Sequence, residues 1–436
     1  MLSGTMAAPP PTLDLTLLDA EYGNMLSCIR CGQCLTSCPT YVLSMHEAEG
    51  PRGRIALARG LADGQLKITP DLVVHEQNCL VCDACTAVCP AGVHMDPIQV
   101  ALRTAIAPSL RRPAWLRMAF TTFGDMGRFR LVVRLLGLYQ RLGLQALARG
   151  LGIVRLLGLA RSEAFLPDVP TSFVVPKGER YGTGTPVGFF AGCVMSTALA
   201  DLDRATIRVL ERAGCEVVNT AGQGCCGALN AHGGDLPGMK EMAKRNIAAF
   251  EADDAPIVVN SAGCGAMLKD YGHHFRDEPA WAERAERFSA RVVDVNVFLA
   301  GRELPMQRDL PLTVTYQDAC HLAHAQRVTA QPRALLKKIP GLELREMNES
   351  ALCCGSAGIY NLTNPVESGK LQARKVENTL ATGADVVVTS NPGCLLQMRA
   401  GLKEGGSNVR VAHVIELLDE ATAPDGTPSP GGRGQG

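Results

Sequence analysis

The feature that most constrains this chain is a pair of identical cysteine arrays near its N-terminus. The first array comprises Cys28, Cys31, Cys34 and Cys38, and the second comprises Cys79, Cys82, Cys85 and Cys89. Each has the spacing C-x2-C-x2-C-x3-C and is followed directly by a proline. Three cysteines two residues apart place three thiols on one tight loop. A compact group with tetrahedrally placed ligands could therefore be held by three of them and one cysteine from elsewhere.

This spacing is typical of proteins that hold two [4Fe–4S] clusters, in which the fourth cysteine of each array ligates the other cluster. The predicted ligands of the first cluster are Cys28, Cys31, Cys34 and Cys89, and those of the second are Cys38, Cys79, Cys82 and Cys85. Zinc sites usually pair two separate C-x2-C hooks across a longer gap, and disulfide frameworks belong to short secreted chains. Neither alternative explains two complete arrays as well.

The amino-acid composition argues against several classes of function. The chain has 436 residues, enough for two or three domains, and its formal net charge is zero, so no global field favours nucleic acid. Only 5% of the residues are aromatic, which argues against stacking on bases. The N-terminal residues lack the pattern of a signal peptide, and no apolar stretch is long enough to span a bilayer. We therefore expect a protein of a reducing, cytoplasmic compartment that does not bind nucleic acid.

The second half of the chain contains a duplication. In each copy a β-branched run ends in a cysteine, a Cys-Cys-Gly triplet follows after 31 or 32 residues, and a second apolar run ends in a cysteine 37 or 39 residues later. The cysteines are Cys193, Cys225, Cys226 and Cys264 in copy one, and Cys320, Cys353, Cys354 and Cys394 in copy two. Helical stretches alternate with the strands, which predicts parallel α/β units. The eight cysteines should gather beyond the carboxyl ends of the strands, where such sheets bind ligands.

Several roles remain open for these eight cysteines. They could ligate a further iron–sulfur cluster, bind zinc, form redox disulfides, or be buried structural residues. Gly227 and Gly355, which follow the pairs, could let the backbone approach a metal closely. We expect neither His321 nor His324 to be a ligand, and Cys215 lies outside the pattern as an apolar filler. The matched spacing also predicts that the two copies face each other across a pseudo-two-fold axis and form one redox or carrier-facing site.

The fold class predicted from these patterns is a multidomain α+β and α/β protein, with an α-helical ferredoxin-type domain followed by a duplicated α/β domain. The predicted boundaries are a disordered N-terminus at 1–20, the ferredoxin domain at 21–105, an Arg/Leu-rich helical linker at 106–185, the two Cys-Cys-Gly repeats at 186–305 and 306–419, and a disordered tail at 420–436. The ferredoxin domain should be helical because forty residues separate its arrays.

The linker has two open interpretations. Between Arg111 and Arg161 it contains ten arginines and a single acidic residue, Asp125, with leucines at helical spacing. Its helices could simply pack on the domains with their arginines in solvent. Alternatively, they could form a basic amphipathic surface for anionic lipid or an acidic partner.

The chain resembles the iron–sulfur subunits of glycolate oxidase. The resemblance rests on CIRCGQCLTSCPTY with GPRGRI, on CLVCDACTAVCPAGV, on GCCGA and SAGCGAMLKDYG, and on CCGSAGIYNLTNP with SNPGC. The wider group includes subunits of anaerobic glycerol-3-phosphate dehydrogenase, of lactate oxidation and of heterodisulfide reductase. In the last of these the repeat ends in C-x-x-C and can hold a non-cubane cluster, whereas this chain has Met267 and Gln397 there. Four cysteines per copy still suffice for a cubane.

The resemblance implies a complex in which an FAD-containing partner oxidises glycolate to glyoxylate and this chain passes the electrons to a quinone or another membrane acceptor. It also implies peripheral association with the inner face of the cell membrane. We find no dinucleotide motif and expect no flavin on this chain. The alternatives are a D-lactate or glycerol-3-phosphate partner, a thiol–disulfide oxidoreductase like heterodisulfide reductase, and a non-catalytic redox sensor or scaffold.

Overall fold

The computed structural model describes residues 14–424, and its N-terminal part is a small helical module around the two cysteine arrays. Its helices are α1 Thr16–Ala20, α2 Tyr22–Leu26, α3 Pro39–Ser44, α4 Pro51–Ala62, α5 Pro70–Gln77, α6 Ala84–Val88 and α7 Met95–Ile106. The predicted helix start at Thr69 is confirmed, because its hydroxyl accepts a hydrogen bond from the Leu72 N–H at 3.2 Å. Leu18, Ile98 and Leu102 form the centre of the module's core.

A buried arginine organises the segment between the two arrays. Arg54 is 1% exposed and donates to the Glu49 carboxylate at 2.7 Å, to the Glu49 carbonyl at 2.6 Å and to the Thr40 hydroxyl at 3.0 Å. Glu49 also contacts His75 Nδ1 at 2.7 Å. A buried charge needs a partner and satisfied hydrogen bonds, and Arg54 has both. This network fixes α4 and α5 against the turn that carries Cys38.

Five helices connect this module to the duplicated part. They are α8 Ala114–Phe123, α9 Met126–Arg141, α10 Leu144–Gly150, α11 Ile153–Leu156 and α12 Ala160–Ala164. Asp125 caps α9 by accepting the backbone N–H groups of Gly127 and Arg128 at 2.8 and 3.0 Å. The buried residues of α9 are Phe129, Val133 and Gly137, which recur every four residues and so define a single inward face.

Copy one forms a five-stranded sheet of order β1-β3-β2-β4-β5. Its elements are β1 Glu179–Tyr181, β2 Thr185–Phe190, α13 Ala200–Arg212, β3 Cys215–Asn219, α14 Ala228–His232, α15 Leu236–Ala249, β4 Ile257–Val259, α16 Ala262–Lys269, α17 Tyr271–Phe275, α18 Ala282–Arg291, β5 Val292–Asp294 and α19 Val295–Ala300. Strands β2 to β5 pair in parallel, as predicted, and β1 pairs antiparallel with β3.

Copy two repeats this pattern in a four-stranded, wholly parallel sheet of order β7-β6-β8-β9. Its elements are β6 Thr313–Tyr316, a π-helical turn at His321–Ala325, α20 Ala330–Lys337, β7 Glu343–Arg345, α21 Tyr360–Thr363, α22 Pro365–Leu380, β8 Val386–Thr389, α23 Pro392–Glu404, β9 Arg410–His413 and α24 Val414–Thr422. The central strands β6 and β8 are almost entirely buried. Such apolar runs are typical of parallel strands covered on both faces.

The first helix of each copy packs on the last helix of the other copy. The first helix of copy one, α13, packs on the last helix of copy two, α24, and the first helix of copy two, α20, packs on the last helix of copy one, α19. Arg208 and Arg212 of α13 both contact the buried carboxylate of Asp419 on α24, at 2.5 and 2.9 Å. Reciprocal packing of this kind agrees with the predicted pseudo-two-fold arrangement.

Both predicted disordered ends extended too far into the chain. Residues 16–20 form α1, because Leu18 is fully buried between the module's other helices. Helix α24 continues to Thr422, since Leu417, Leu418 and Ala421 are buried in the core that both copies share. The remainder of both predicted segments, residues 1–13 and 425–436, lies outside the described residues.

A buried histidine in copy two should make the fold sensitive to acid. His413 is fully buried at the start of α24, where its Nδ1 accepts the Ile415 N–H at 3.2 Å, and burial lowers its pKa from 6.5 to about 4. Between those values the unfolded chain binds a proton that the folded chain does not. The contribution of the neutral His413 side chain to the free energy of unfolding is therefore complete above pH 6.5 and is lost as the pH falls towards 4.

We expect His413→Asn, which keeps a capping acceptor but cannot ionise, to remove this dependence. The free energy of unfolding of the wild type should fall between about pH 7 and about pH 5 by about 2 kcal/mol more than that of the variant. Urea titrations at the two pH values measure the difference. An equal fall in both proteins would show that His413 does not titrate as its burial requires.

Candidate redox centres

The two arrays adopt the same unusual backbone. The residue two positions after the first cysteine has a positive φ in both, 57° at Arg30 and 49° at Val81. The residue after the second cysteine repeats this, with 83° at Gly32 and 57° at Asp83. A positive φ is costly for a β-branched residue such as Val81. Such strain persists where the surrounding structure requires it, and here it turns three successive cysteines towards one centre.

Sulfurs from both arrays line one cavity. The lining includes Cys28, Cys31 and Cys34 from the first array with Cys85 and Cys89 from the second, and the apolar walls include Ile55, Val93 and Met95. The set predicted for the first cluster is therefore brought together, including its member from the other array. Burial raises the pKa of the Cys34 thiol to about 11. Cys31 is exposed, so this cavity opens at the surface.

The predicted second set also converges. Cys38 lies close enough to Cys79, Cys82 and Cys85, which come from the other array, to contribute to the raised pKa of each. Burial raises the pKa of all three of these thiols, while Arg54 and Arg103 oppose the rise at Cys79. Arg103 donates to the Cys79 carbonyl at 2.6 Å. Two buried cations beside these sulfurs favour the thiolate form that a metal requires.

These surroundings fit a cluster ligated only by sulfur. Within residues 14–424 no group of three or more His, Cys, Asp or Glu side chains is arranged to hold a single metal ion. A cubane differs from a single ion because its ligands stand several ångströms apart around the cluster. Backbone N–H groups also point at the thiols, from Val81 to Cys79 and from Val93 to Cys89, each at 3.4 Å. Such hydrogen bonds are typical of iron–sulfur sites and tune their potentials.

In copy one the structure brings all four predicted cysteines together. The Cys193 thiol donates to Cys225 Sγ at 3.6 Å, and Cys226 hydrogen-bonds both Cys225 and Cys264. Because Cys225 accepts from both neighbours, its pKa is lowered, whereas those of the donors Cys193 and Cys226 are raised. Two side chains fix the backbone of the Cys-Cys pair. Asn246 donates to the Cys225 carbonyl at 2.9 Å, and Tyr271 donates to the Cys226 carbonyl at 2.8 Å.

Copy two has the same arrangement of four cysteines and adds a buried lysine beside them. The Cys320 thiol donates to Cys353 Sγ at 3.9 Å, and Cys354 hydrogen-bonds Cys353 and Cys394. Sequence reasoning missed Lys375, which is fully buried and donates to the carbonyls of Glu349 and Ser350 at 2.5 and 3.1 Å. Burial lowers its pKa, and the neighbouring Cys354 opposes that shift. Its position on α22, one helical turn after an apolar residue, was the one signal that could have drawn attention to it.

The glycine after each Cys-Cys pair serves a purpose beyond the one predicted. Gly227 and Gly355 have φ values of 83° and 86°. A Cβ would lie 2.6 Å from the Met239 side chain in copy one and 2.7 Å from the Ser368 carbonyl in copy two. The glycines are therefore required for a left-handed turn and for the close packing of α15 in copy one and of α22 in copy two. Approach to a metal is not needed to explain them.

The positions that would end a C-x-x-C motif are occupied by buried residues with other partners. Met267 on α16 packs in the core of copy one. Gln397 on α23 is fully buried, accepts a hydrogen bond from Asn361 at 3.2 Å and donates one to Ser368 at 3.1 Å. The two histidines beside Cys320 bind backbone carbonyls, His321 that of Val81 at 2.7 Å and His324 that of Ala351 at 2.9 Å.

The cysteine groups of the two copies have different neighbours. Cys82 of the second array packs in one buried group with Cys320 and Cys353, and the His321 hydrogen bond to Val81 spans the same junction. Copy two therefore adjoins the ferredoxin-type module. In copy one Cys193 and Cys225 lie instead beneath Phe129 and Val133 of α9. The copies touch directly, because Gly263 N–H donates to Asn391 Oδ1 at 3.0 Å.

Three family models match the chain. They are a 4Fe-4S dicluster domain at residues 27–93, a glycolate oxidase iron-sulfur subunit linker region at 111–166, and a cysteine-rich domain that matches twice, at 187–269 and 314–399. Both arrays, the arginine-rich helices and each Cys-Cys-Gly copy thus lie within a matched region.

Similar proteins span nearly the whole chain. The probable glycolate oxidase iron-sulfur subunit of Bacillus subtilis is 42% identical over 420 residues, which cover 92% of this chain and 95% of the relative. The glycolate oxidase iron-sulfur subunit of Escherichia coli is 30% identical, covering 91% and 93%. One of the subunits of the fumarate reductase (CoM/CoB) of Methanothermobacter marburgensis is also 30% identical, covering 91% of this chain and 72% of its own length.

Proposed function

The chain belongs to the family of glycolate oxidase iron–sulfur subunits, and from that premise we propose how it transfers electrons. A flavoprotein partner oxidises glycolate to glyoxylate, and this chain delivers the electrons one at a time to a quinone-type acceptor in the membrane. The chain is cytoplasmic and peripheral to the inner face of that membrane. None of the helices within residues 14–424 is long and apolar enough to cross it.

The observation that carries this proposal is the contact between the second array and copy two. Cys82, Cys320 and Cys353 share one buried group, so three sulfur sites follow one another without an intervening domain. When bound, [4Fe–4S] clusters supply one-electron steps that divide the two-electron load of a flavin. Cys28, Cys31, Cys34 and Cys89 would hold the first cluster and Cys38, Cys79, Cys82 and Cys85 the second.

The order of the sites follows from their exposure. The cavity of the first set reaches the surface at Cys31, so the flavoprotein would deliver electrons there. The second set is buried against copy two, and copy two touches copy one through Gly263 and Asn391. The eight cysteines of the two copies would then complete the route as further cluster ligands or as redox thiols.

Anaerobic purification of the complex tests this proposal. We expect the flavoprotein to co-purify, with about eight iron atoms from the two arrays and more if the copies also bind clusters, because each cubane holds about four. Glycolate should reduce the iron more rapidly than D-lactate or glycerol 3-phosphate does. Zinc in place of iron would contradict the proposal, as would a chain that never associates with flavin. Reduction by a disulfide couple alone would favour a thiol–disulfide oxidoreductase.

A further inference from the structure

The helices of the linker expose apolar side chains to an unusual extent. Within the described residues, twelve of the twenty-three large apolar residues that are exposed lie between positions 131 and 159. Leu151, Leu156 and Leu157 are 66%, 87% and 63% exposed. Exposed leucines scattered singly need no explanation, but the concentration of twelve exposed apolar residues in one segment marks an interaction surface. We call the segment from α9 to α12, residues 126–164, the linker face.

The linker face is also strongly cationic. Its residues 126–164 contain seven arginines, one glutamate, Glu163, and no aspartate or lysine. Arg149 pairs with Glu163, and Arg128 pairs with Asp125, which precedes the face. Arg134, Arg141 and Arg155 are exposed between the leucines. A surface that combines exposed leucines with unneutralised arginines is complementary to an anionic, partly apolar partner.

The inner side of the same segment is fixed on copy one. Phe129 and Val133 of α9 pack on Cys193 and Cys225, and Arg245 donates to the Gly124 carbonyl at 2.8 Å. Glycines with positive φ, at 143, 152 and 158, separate the short helices, and α12 returns beside α10, where Arg149 donates to Glu163 at 2.8 Å. The diameter of one helix with its side chains, about 10 Å, therefore separates the Cys193 site from whatever binds outside.

We propose that the linker face binds the surface of a bilayer rich in anionic phospholipid, with α9 to α12 lying in the interface. The twelve exposed apolar residues are all aliphatic. Protein interfaces instead favour aromatic anchors, and leucine is under-represented among their main binding residues. Arginine and leucine on short helices are characteristic of interfacial membrane helices. This inference rests on the proposed function in one respect. An acceptor dissolved in lipid would explain why the Cys193 site lies close to the membrane.

Vesicle sedimentation of the anaerobically purified holoprotein tests this directly. We expect binding to phosphatidylcholine vesicles that contain phosphatidylglycerol, and binding should weaken with salt. The triple variant Leu142→Ser, Leu151→Ser, Leu156→Ser should lower the partition coefficient at least about tenfold, because three apolar side chains no longer enter the interface. The triple variant Arg134→Gln, Arg141→Gln, Arg155→Gln should lower it about a hundredfold at low salt, since each arginine contributes about fivefold.

A matched control removes exposed apolar residues elsewhere. Leu362, Val366 and Leu380 are 40%, 56% and 45% exposed on copy two, and their replacement by serine should leave vesicle binding unchanged. The absence of binding to anionic vesicles would overturn the proposal, and so would equal binding of the leucine variant. A leucine variant that loses only the flavoprotein would assign the linker face to that protein instead.

Iron content and reduction by glycolate distinguish this inference from the function proposed above. Both should be unchanged in the leucine variant, because its three residues lie outside every sulfur site. If wild-type protein binds vesicles but contains no iron, the electron-transfer proposal is wrong and the proposed membrane contact is supported. If iron content and reduction by glycolate are normal but vesicles are not bound, only the proposed membrane contact is wrong.

Discussion

Cys82→Ser is expected to remove about four iron atoms and to stop electron flow through the chain, since a cubane holds about four. Cys82 is a predicted ligand of the second cluster, and it packs on Cys320 and Cys353 of copy two. A hydroxyl of ordinary pKa is a poor ligand for iron in place of a thiolate. Iron analysis measures the loss. Glycolate-driven reduction of a quinone by the complex should fall at least about a hundredfold, because the cluster at the buried junction with copy two is lost.

Cys215→Ala is the matched control. Cys215 is fully buried at the start of β3 among aliphatic side chains, and it belongs to none of the four cysteine sets. Its replacement should leave both the iron content and the quinone reduction rate unchanged. Normal iron content in Cys82→Ser would exclude the assigned ligand set. A normal rate without the second cluster would exclude the route through copy two.

Gly355→Ala should have the largest effect on stability. The backbone at Gly355 has a φ of 86°, and a Cβ would lie 2.7 Å from the Ser368 carbonyl and 3.1 Å from Leu371 Cβ. The left-handed conformation costs an alanine about 1–2 kcal/mol, and overpacking against backbone adds about 1–3 kcal/mol. The free energy of unfolding should therefore fall by about 2–5 kcal/mol, measured by urea titration with circular dichroism.

Gly301→Ala provides the comparison for this experiment. Gly301 ends α19 with a φ of −83°, and nothing lies within 4 Å of the position its Cβ would take. Its replacement should change the free energy of unfolding by less than about 0.5 kcal/mol. If Gly355→Ala proved equally mild, the turn after the Cys-Cys pair would not be as constrained as its geometry indicates.

The sequence was most informative where chemistry depends on local spacing. The arrays and the duplication could be predicted, because tight loops and alternating strands leave patterns a few residues long. The predicted strands ran too far, since Cys193, Cys264, Cys320 and Cys394 lie three to five residues beyond the ends of β2, β4, β6 and β8. The structure gathers four cysteines in each copy, as predicted, since the carboxyl ends of parallel strands meet at one edge. The family comparisons confirm the dicluster domain and the two cysteine-rich domains.

Features that depend on distant residues were not predicted. Strand β5 has only three residues, and β9 has four, so neither shows a clear alternation. The buried ion pair of Arg54 and the buried Lys375 resemble surface residues in the sequence, because a buried charge is identified only by its partners. The predicted disordered ends were wrong at α1 and α24, where short helices are stabilised by packing rather than by their own composition.

The central claim is that electrons pass from the two arrays into copy two. Electron paramagnetic resonance of the anaerobic complex during a single turnover with glycolate tests it most directly. In the wild type we expect signals from both array clusters, and from copy two if it holds a cluster, before the quinone is reduced. In Cys82→Ser only the cluster of Cys28, Cys31, Cys34 and Cys89 should be reduced, and the quinone should stay oxidised. Quinone reduction at the wild-type rate while that cluster alone is present would contradict the account.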